Sequence, residues 1–210
     1  MLNPEILKAI ATRNEAVVKK QFEKLGYLVR RLDRNAKGKR PDFDISRRID
    51  RPEMLCEVKT VFSQGFLRDQ GAHVSTLDEK LIGTFEHKID LREISDKLAN
   101  AVQQRKALVE DVSSYADLPF LVAFFFDPFA DVLDAFPDTF EAEVSGILTI
   151  KNDVPRTNAF EKLSEEQQEQ ILRTQSAAGL PPESKNFALV RNKAASRPVP
   201  TDFQYQCLTR

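Results

Sequence analysis

The stretch PFLVAFFFD, residues 119–127, constrains the fold more than any other part of the sequence. The apolar run between Pro119 and Asp127 is unbroken, so it lacks the alternation of a strand with one solvated face. A run of this length is typical of a strand in the middle of a sheet, buried on both faces. The sequence therefore predicts a central strand that needs covering layers on both sides.

The residues before this strand predict a helix, three strands and a second helix. Pro4 begins a helical pattern that Gly26 ends. Strand-like segments follow at residues 27–33, 42–46 and 54–62. Apolar residues between 94 and 109 recur at helical spacing. The predicted order over residues 4–127 is helix, three strands, helix, strand, which belongs to the α/β class.

The rest of the chain gives weaker signals. Residues 63–88 show no periodicity and are interpreted as an insertion. Further helices are predicted at 131–142 and 158–175, and further strands at 146–150, 187–190 and 203–208. We expect one domain, with a core over residues 1–127 and a C-terminal elaboration of the same domain over residues 128–210.

Composition places the chain among globular proteins. Its 210 residues contain 41% hydrophobic side chains, enough for a substantial core. No segment approaches the roughly 20 consecutive apolar residues that cross a bilayer, and the N-terminus lacks a signal-peptide pattern. Cys56 and Cys207 show no zinc or redox spacing. We expect a cytoplasmic protein without a membrane partner and with reduced thiols.

Charge is unevenly distributed along the chain. Residues 1–62 carry 15 basic against 9 acidic side chains, and residues 63–210 carry 16 against 23. Nine of the basic residues fall between Arg30 and Arg51, a density that suits a polyanion such as a phosphate backbone, although a solvated hairpin produces the same pattern. The candidate nucleic-acid-binding residues are Arg34, Lys37, Lys39, Arg40, Arg47 and Arg48.

Two charged residues interrupt the third predicted strand. Glu57 and Lys59 are two positions apart, so their side chains project from the same face of the strand. Beside Leu55 and Val61, an acid and a base lose solvation unless they are paired or bind an ion. This pattern favours a functional site, although a strand with one solvated face also produces it by chance.

A third charged residue is expected beside this pair. Asp42 begins a strand that we expect to pair antiparallel with residues 54–62, which brings its carboxylate next to Glu57. Adjacent carboxylates repel, and a hard divalent cation such as Mg²⁺, Mn²⁺ or Ca²⁺ relieves the repulsion. Asp44 shares the same face and could serve in place of Asp42.

These motifs resemble those of the PD-(D/E)xK nuclease superfamily. Pro41-Asp42 is followed after 14 residues by Glu57-Val58-Lys59, and the preceding helix carries Glu15. The segment NEAVVKKQFEKLGYLVRRL is similar to the Holliday-junction resolvase and Mrr-like restriction branches. The resemblance covers about the first 127 residues. It implies a restriction-endonuclease-like α-β-β-β-α-β core, with a mixed central sheet flanked by helices, plus a C-terminal α/β elaboration.

The resemblance also implies an activity, which is metal-dependent hydrolysis of phosphodiester bonds in DNA. The implied ligands of one Mg²⁺ ion, or of Mn²⁺, are Asp42, Glu57 and the backbone carbonyl of Val58. Glu15 would bind the water shell of that ion or help to hold a second ion. Lys59 would orient and help to deprotonate the attacking water. A homodimer is the implied assembly, because two sites then cut two strands.

Other interpretations stay open at this stage. The fold could serve a catalytically inactive subunit for nucleic-acid binding or assembly, and the substrate could be RNA. Glu15 could be an exposed helix residue paired with Lys19, four positions later. Solvent-facing side chains are the simpler interpretation of His73, His87, Gln103 and Gln104.

Overall fold

A computed structural model describes residues 4–32, 39–61, 90–126, 141–151, 187–200, 203 and 208–209. In these ranges the chain forms two α-helices, a 3-10 turn and seven strands. Their bounds in chain order are α1 Pro4–Lys24, β1 Leu28–Arg31, β2 Phe43–Ser46, β3 Met54–Val61, α2 Leu91–Asp111, the 3-10 turn Ser113–Tyr115, β4 Phe120–Phe126, β5 Gly146–Lys151, β6 Phe187–Arg191 and β7 Leu208–Thr209.

All seven strands belong to one mixed sheet, in the order β1-β2-β3-β4-β5-β6-β7. The first three strands are antiparallel neighbours, and β4 lies parallel to β3. Because a parallel partner must start from the same end of the sheet, the chain crosses back between β3 and β4, and α2 lies in this connection. Strands β5, β6 and β7 extend the same sheet beyond β4.

The sheet separates two apolar layers. Every residue of β4 is buried, so the prediction of a central buried strand is confirmed. Alternate residues of a strand point to opposite faces. One face packs against α2 through Leu55, Val61, Val122 and Phe124, and the other packs against α1 through Phe43, Cys56, Leu121 and Phe125.

The predicted α/β class is confirmed, and so is the predicted element order over residues 4–127 in the part of the chain that the structure describes. Gly26, with φ of +84°, adopts the left-handed conformation that follows the end of α1. The strands predicted at 146–150 and 187–190 are confirmed as β5 and β6. No helix among the described residues has the length and apolar character to cross a bilayer.

The strand predicted at residues 203–208 is wrong at Phe203 and confirmed at Leu208. Phe203 lies outside any strand and is buried, with its ring stacked on Phe22 at 5.3 Å and edge-on to Tyr27 at 6.2 Å. Leu208 belongs to β7, and residues 204–207 lie outside the described residues. The apolar side chain of Phe203 closes the layer around α1 rather than joining the sheet. The predictions at 63–88, 131–140 and 158–175 fall outside the described residues.

Candidate active site

The hairpin of β2 and β3 brings two predicted site acids together. Phe43 lies opposite Cys56 in the antiparallel register, so Asp42 and Glu57 form the next pair along the two chains. The backbone N–H of Asp42 donates a hydrogen bond to Glu57 Oε2 at 3.1 Å. The backbone N–H of Val58 donates to Asp42 Oδ2 at 2.9 Å. The backbone of each arm of the hairpin therefore orients the carboxylate that the other arm carries.

Lys59 completes this group from the same face of β3. Its Nζ donates to Glu57 Oε1 at 2.5 Å. The exposed fractions of the two side chains are 13% for Lys59 and 4% for Glu57, so little solvent screens the ion pair. Leu55 and Val61 flank the pair on this face and pack in the apolar layer of α2. The predicted alternation of side chains along the strand is confirmed.

The environment of Glu57 disfavours its charged form. The pKa of Glu57 is raised to about 8, chiefly by burial and next by the nearby charge of Asp42. The ammonium of Lys59 lowers the pKa of Glu57 but does not offset both effects. An additional cation close to Asp42 and Glu57 would therefore stabilise the site.

Helix α2 supplies two further partners of Lys59. Asn100 Oδ1 accepts a hydrogen bond from Lys59 Nζ at 3.1 Å, and Gln104 Oε1 accepts one at 3.0 Å. The sequence analysis interpreted Gln104 as a surface residue and did not identify Asn100. Asn100 and Gln104 are four positions apart, so they share one helix face. This spacing, next to the buried Ala101, is the sequence signal that could have identified both residues. Gln103 is exposed, as expected.

Glu15 lies in α1 and is buried. Its carboxylate forms an ion pair with Arg31 of β1. Lys19, the residue considered as its helical partner, forms a salt bridge with Glu23 at 3.8 Å. The structure therefore gives Glu15 an ion pair with the edge strand, and its catalytic role stays a prediction.

The residue before Glu15 makes a contact that the sequence analysis missed. Asn14 is buried, and its Nδ2 donates to Thr60 Oγ1 at 2.8 Å. Thr60 follows Lys59 directly and faces α1, whereas Lys59 faces α2. This hydrogen bond ties α1 to the end of β3 that carries the site.

Asp44, the alternative to Asp42, has other partners. Arg30 Nε and Nη2 donate to Asp44 Oδ2 at 3.0 and 2.5 Å, and the Tyr115 hydroxyl donates to the same oxygen at 3.0 Å. Asp44 is buried, so these bonds compensate its charge. Asp42, and not Asp44, therefore lies beside Glu57.

The basic residues on the N-terminal side of β2 lie close to the acids in sequence. Lys39 is exposed, and Arg40 is partly buried. Arg40 Nη2 donates to Asp111 Oδ2 at 2.8 Å, at the end of α2. This ion pair fixes the chain two residues before Asp42.

The other basic candidates follow the opposite end of β2. Arg47 and Arg48 are exposed, and Arg47 lies 4.9 Å from the ring centroid of Tyr27. At about 3.3 Å per residue, Arg47 is roughly 17 Å along the chain from Asp42. Arg34 and Lys37 lie outside the described residues. The four predicted basic residues that the structure describes are thus divided between the two ends of β2.

The donor set at Asp42 and Glu57 fits magnesium better than a transition metal. Within residues 4–32, 39–61, 90–126 and the described C-terminal segments, no group of three or more His, Cys, Asp or Glu could hold a metal ion. Mg²⁺ requires fewer protein ligands, because it keeps several waters and binds through one or two carboxylates. Asp42 and Glu57 supply two hard oxygen ligands of that kind. His73 and His87 lie outside the described residues.

No protein-family model, no curated protein and no solved structure matches the chain.

Proposed function

We propose that the protein is a Mg²⁺-dependent endonuclease that hydrolyses phosphodiester bonds of DNA. The observation that carries the proposal is the contact between the paired acids and the lysine. Asp42 and Glu57 are linked through the 3.1 Å hydrogen bond between them, and Lys59 Nζ lies 2.5 Å from Glu57 Oε1. Two carboxylates can hold a divalent ion, and an amine beside them can orient a water, so these groups suit metal-dependent hydrolysis of a phosphodiester.

The arrangement of the elements supports the same proposal. The order α1-β1-β2-β3-α2-β4 and the mixed sheet agree with the restriction-endonuclease-like core that the sequence resembles. The resemblance assigns the acids to the second and third strands of the core, and Asp42 directly precedes β2 while Glu57 belongs to β3. The resemblance in sequence and the geometry of the hairpin are independent reasons for the assignment.

Each residue of the site has a distinct role in the proposed reaction. Asp42 and Glu57, with the backbone carbonyl of Val58, would hold one Mg²⁺ ion, for which Mn²⁺ could substitute. When bound, the ion supplies a Lewis acid that polarises the scissile phosphate and stabilises charge on the leaving 3′ oxygen. Lys59 orients the attacking water and assists its deprotonation. The expected products are a 5′ phosphate and a 3′ hydroxyl.

The basic residues near the N-terminal end of β2 give the proposed site a contact with the substrate. Lys39 and Arg40 lie within three residues of Asp42, so their charges are close to the place where the phosphate would bind. Contacts with phosphates position a nucleic acid without reading its sequence. These charges support a nucleic acid as the class of substrate, and the resemblance is the reason for proposing DNA and a homodimer that cuts both strands.

A cleavage assay with a matched lysine control tests the proposal. Supercoiled, linear, nicked, flapped and four-way DNA are incubated with Mg²⁺, with Mn²⁺ and with a chelator. We expect cleavage by the wild type with either ion, and none with the chelator or in Lys59→Met. Lys106→Met removes an exposed lysine of α2 that pairs with Glu143 at 3.3 Å, and it should keep full activity. Intact DNA under all ionic conditions with the wild type would contradict the assignment.

A second candidate is a nuclease fold that binds nucleic acid or assembles with partners but does not cut. The observation that favours it is the saturation of Lys59, whose three ammonium protons have three oxygen acceptors among Glu57, Asn100 and Gln104. Calorimetric titration with Mg²⁺ separates the two candidates. Binding by the wild type that is lost in Glu57→Gln supports the endonuclease, and the absence of binding supports the inactive protein.

A further inference from the structure

The ammonium of Lys59 donates two of its three hydrogen bonds to neutral side chains of helix α2. The third partner is the carboxyl oxygen Oε1 of Glu57, at 2.5 Å, and the amide oxygens of Asn100 and Gln104 lie at 3.1 and 3.0 Å. A carboxylate that binds a divalent ion donates electron density to that ion and holds an ammonium less strongly. The amides do not carry charge, so they are poorer ligands for the ion and stay available to Lys59.

Helix α2 holds these amides at a fixed place relative to β3. Leu98, Ala101 and Val102 of α2 are buried in the same apolar layer as Leu55 and Val61 of β3. Asn100 and Gln104 are one helical turn apart, and both side chains are partly buried. Their oxygens therefore approach Lys59 from a rigid surface rather than from a loop.

We propose that Asn100 and Gln104 are positioning residues that keep the Lys59 ammonium in place independently of the charge on Glu57. The proposal rests on the proposed function, because it explains how Lys59 stays at the site while Glu57 serves a metal ion. The two amides act through Lys59 and touch neither the substrate nor the ion. Their role can be separated from an effect on folding, because it predicts a change in the rate of proton exchange at Lys59 Nζ.

Nuclear magnetic resonance of the Lys59 ammonium tests this in protein labelled with ¹⁵N-lysine and free of metal. The resonance is assigned by its loss in Lys59→Arg, and the readout is the rate of proton exchange with water at one pH. Asn100→Leu combined with Gln104→Met keeps the side-chain volumes and removes both acceptors. We expect exchange about tenfold faster in this double variant, because hydrogen bonds to a charged group are among the stronger ones. Gln103→Met, on the exposed side of α2, should leave the rate unchanged.

A second comparison imitates the loss of charge at Glu57 without any metal. Glu57→Gln keeps an oxygen beside Lys59 and removes its negative charge. In that background we expect the slow exchange to persist while Asn100 and Gln104 are present and to be lost in the triple variant. Each single substitution, Asn100→Leu and Gln104→Met, should give an intermediate rate, so the result does not depend on the stability of the double variant.

Equal exchange rates in the wild type and in all the amide variants would overturn the proposal. An equally large effect of Gln103→Met would also overturn it, because the effect would then not be specific to the two amides that contact Lys59. Cleavage of DNA plays no part in these measurements. A wild type that cuts no DNA but retains a slowly exchanging Lys59 contradicts the endonuclease and supports the positioning role. A wild type that cuts DNA, together with unchanged exchange in the amide variants, supports the endonuclease and contradicts the positioning role.

Discussion

The backbone N–H of Asp42 donates a hydrogen bond to Glu57 Oε2 at 3.1 Å, across the hairpin of β2 and β3. A backbone donor cannot rotate away as a side chain can, so the orientation of Glu57 depends on the register of the two strands. A slip by one residue would turn both acids to the opposite face. The geometry of the proposed site is therefore a property of the hairpin and not of loops around it.

Substitution of neighbouring acids on β2 should separate catalysis from stability. Asp42→Asn removes a carboxylate of the proposed metal site, and we expect cleavage to fall about 100-fold or more, because a metal supplies several kcal/mol to the transition state. Asp44→Asn removes the charge that Arg30 and Tyr115 bind. It should lower the free energy of unfolding by roughly 1–3 kcal/mol. Its effect on cleavage should be small.

Rates of plasmid cleavage and urea denaturation measure the two effects. The exposed Arg30 regains solvation when its partner is lost, which limits the cost of Asp44→Asn. If Asp44→Asn abolished cleavage while Asp42→Asn did not, the assignment of the two acids would have to be reversed.

The raised pKa of Glu57 predicts a pH dependence of stability in the metal-free protein. Its pKa is about 8 in the folded chain, against an ordinary value of 4.5. The folded state then binds the proton more tightly than the unfolded state does. The resulting stabilisation is fully present below pH 4.5 and is lost as the pH rises through about 8. Its size is roughly 5 kcal/mol, at about 1.4 kcal/mol for each pH unit between the two pKa values.

Urea denaturation of the wild type and Glu57→Gln across this range of pH checks the prediction. The free energy of unfolding of the wild type should fall relative to that of Glu57→Gln as the pH rises. The contributions of other titrating groups cancel in this difference. Saturating Mg²⁺ should flatten the pH dependence, since an ion at Glu57 favours the charged form. A difference that is independent of pH would mean that Glu57 titrates normally.

The ion pair between Glu15 and Arg31 should be visible in a double-mutant cycle. Arg31 is about half exposed, with a fractional side-chain exposure of 46%, so solvent screens the pair. We expect a coupling of roughly 0.5–1 kcal/mol between Glu15→Gln and Arg31→Met in the free energy of unfolding. Because Arg31 already neutralises this carboxylate, Glu15→Gln should lower cleavage less than about tenfold. A loss as large as that of Asp42→Asn would place Glu15 among the metal ligands.

The division of the basic residues predicts unequal contributions to DNA binding. Lys39→Gln, near Asp42, should weaken binding to DNA and reduce the slope of log affinity against log salt by about one unit per lost phosphate contact. Arg48→Gln, at the far end of β2, is the matched control and should change the slope less. Fluorescence anisotropy at several salt concentrations measures both. An equal reduction would extend the interface along the whole of β2.

Local patterns predicted the strands and helices of the core because those patterns depend on neighbouring residues. The alternation of side chains around Glu57 predicted the face of the strand from which Glu57 projects. The unbroken apolar run predicted that β4 is buried on both faces. The pairing of Asp42 with Glu57 could be predicted because a hairpin has few registers.

Contacts between distant elements could not be predicted in the same way. The hydrogen bonds from Lys59 to Asn100 and Gln104 join residues 41 and 45 positions apart, and they depend on how α2 packs on the sheet. The contact between Asp44 and Tyr115, 71 positions apart, also could not be predicted from the sequence. Such contacts follow from tertiary packing, which a single sequence does not specify locally.

Cys56 lies on β3 between Leu55 and Glu57 and is fully buried in the layer of α1. Burial raises the pKa of its thiol well above the ordinary range, and the charges of Asp42 and Glu57 add to this effect. The thiol is therefore inert towards alkylating reagents while the sheet is intact. In a Cys207→Ser background, the rate of alkylation of Cys56 would report how often the layer between β3 and α1 opens, so the strand that carries Glu57 and Lys59 contains a reporter of its own stability.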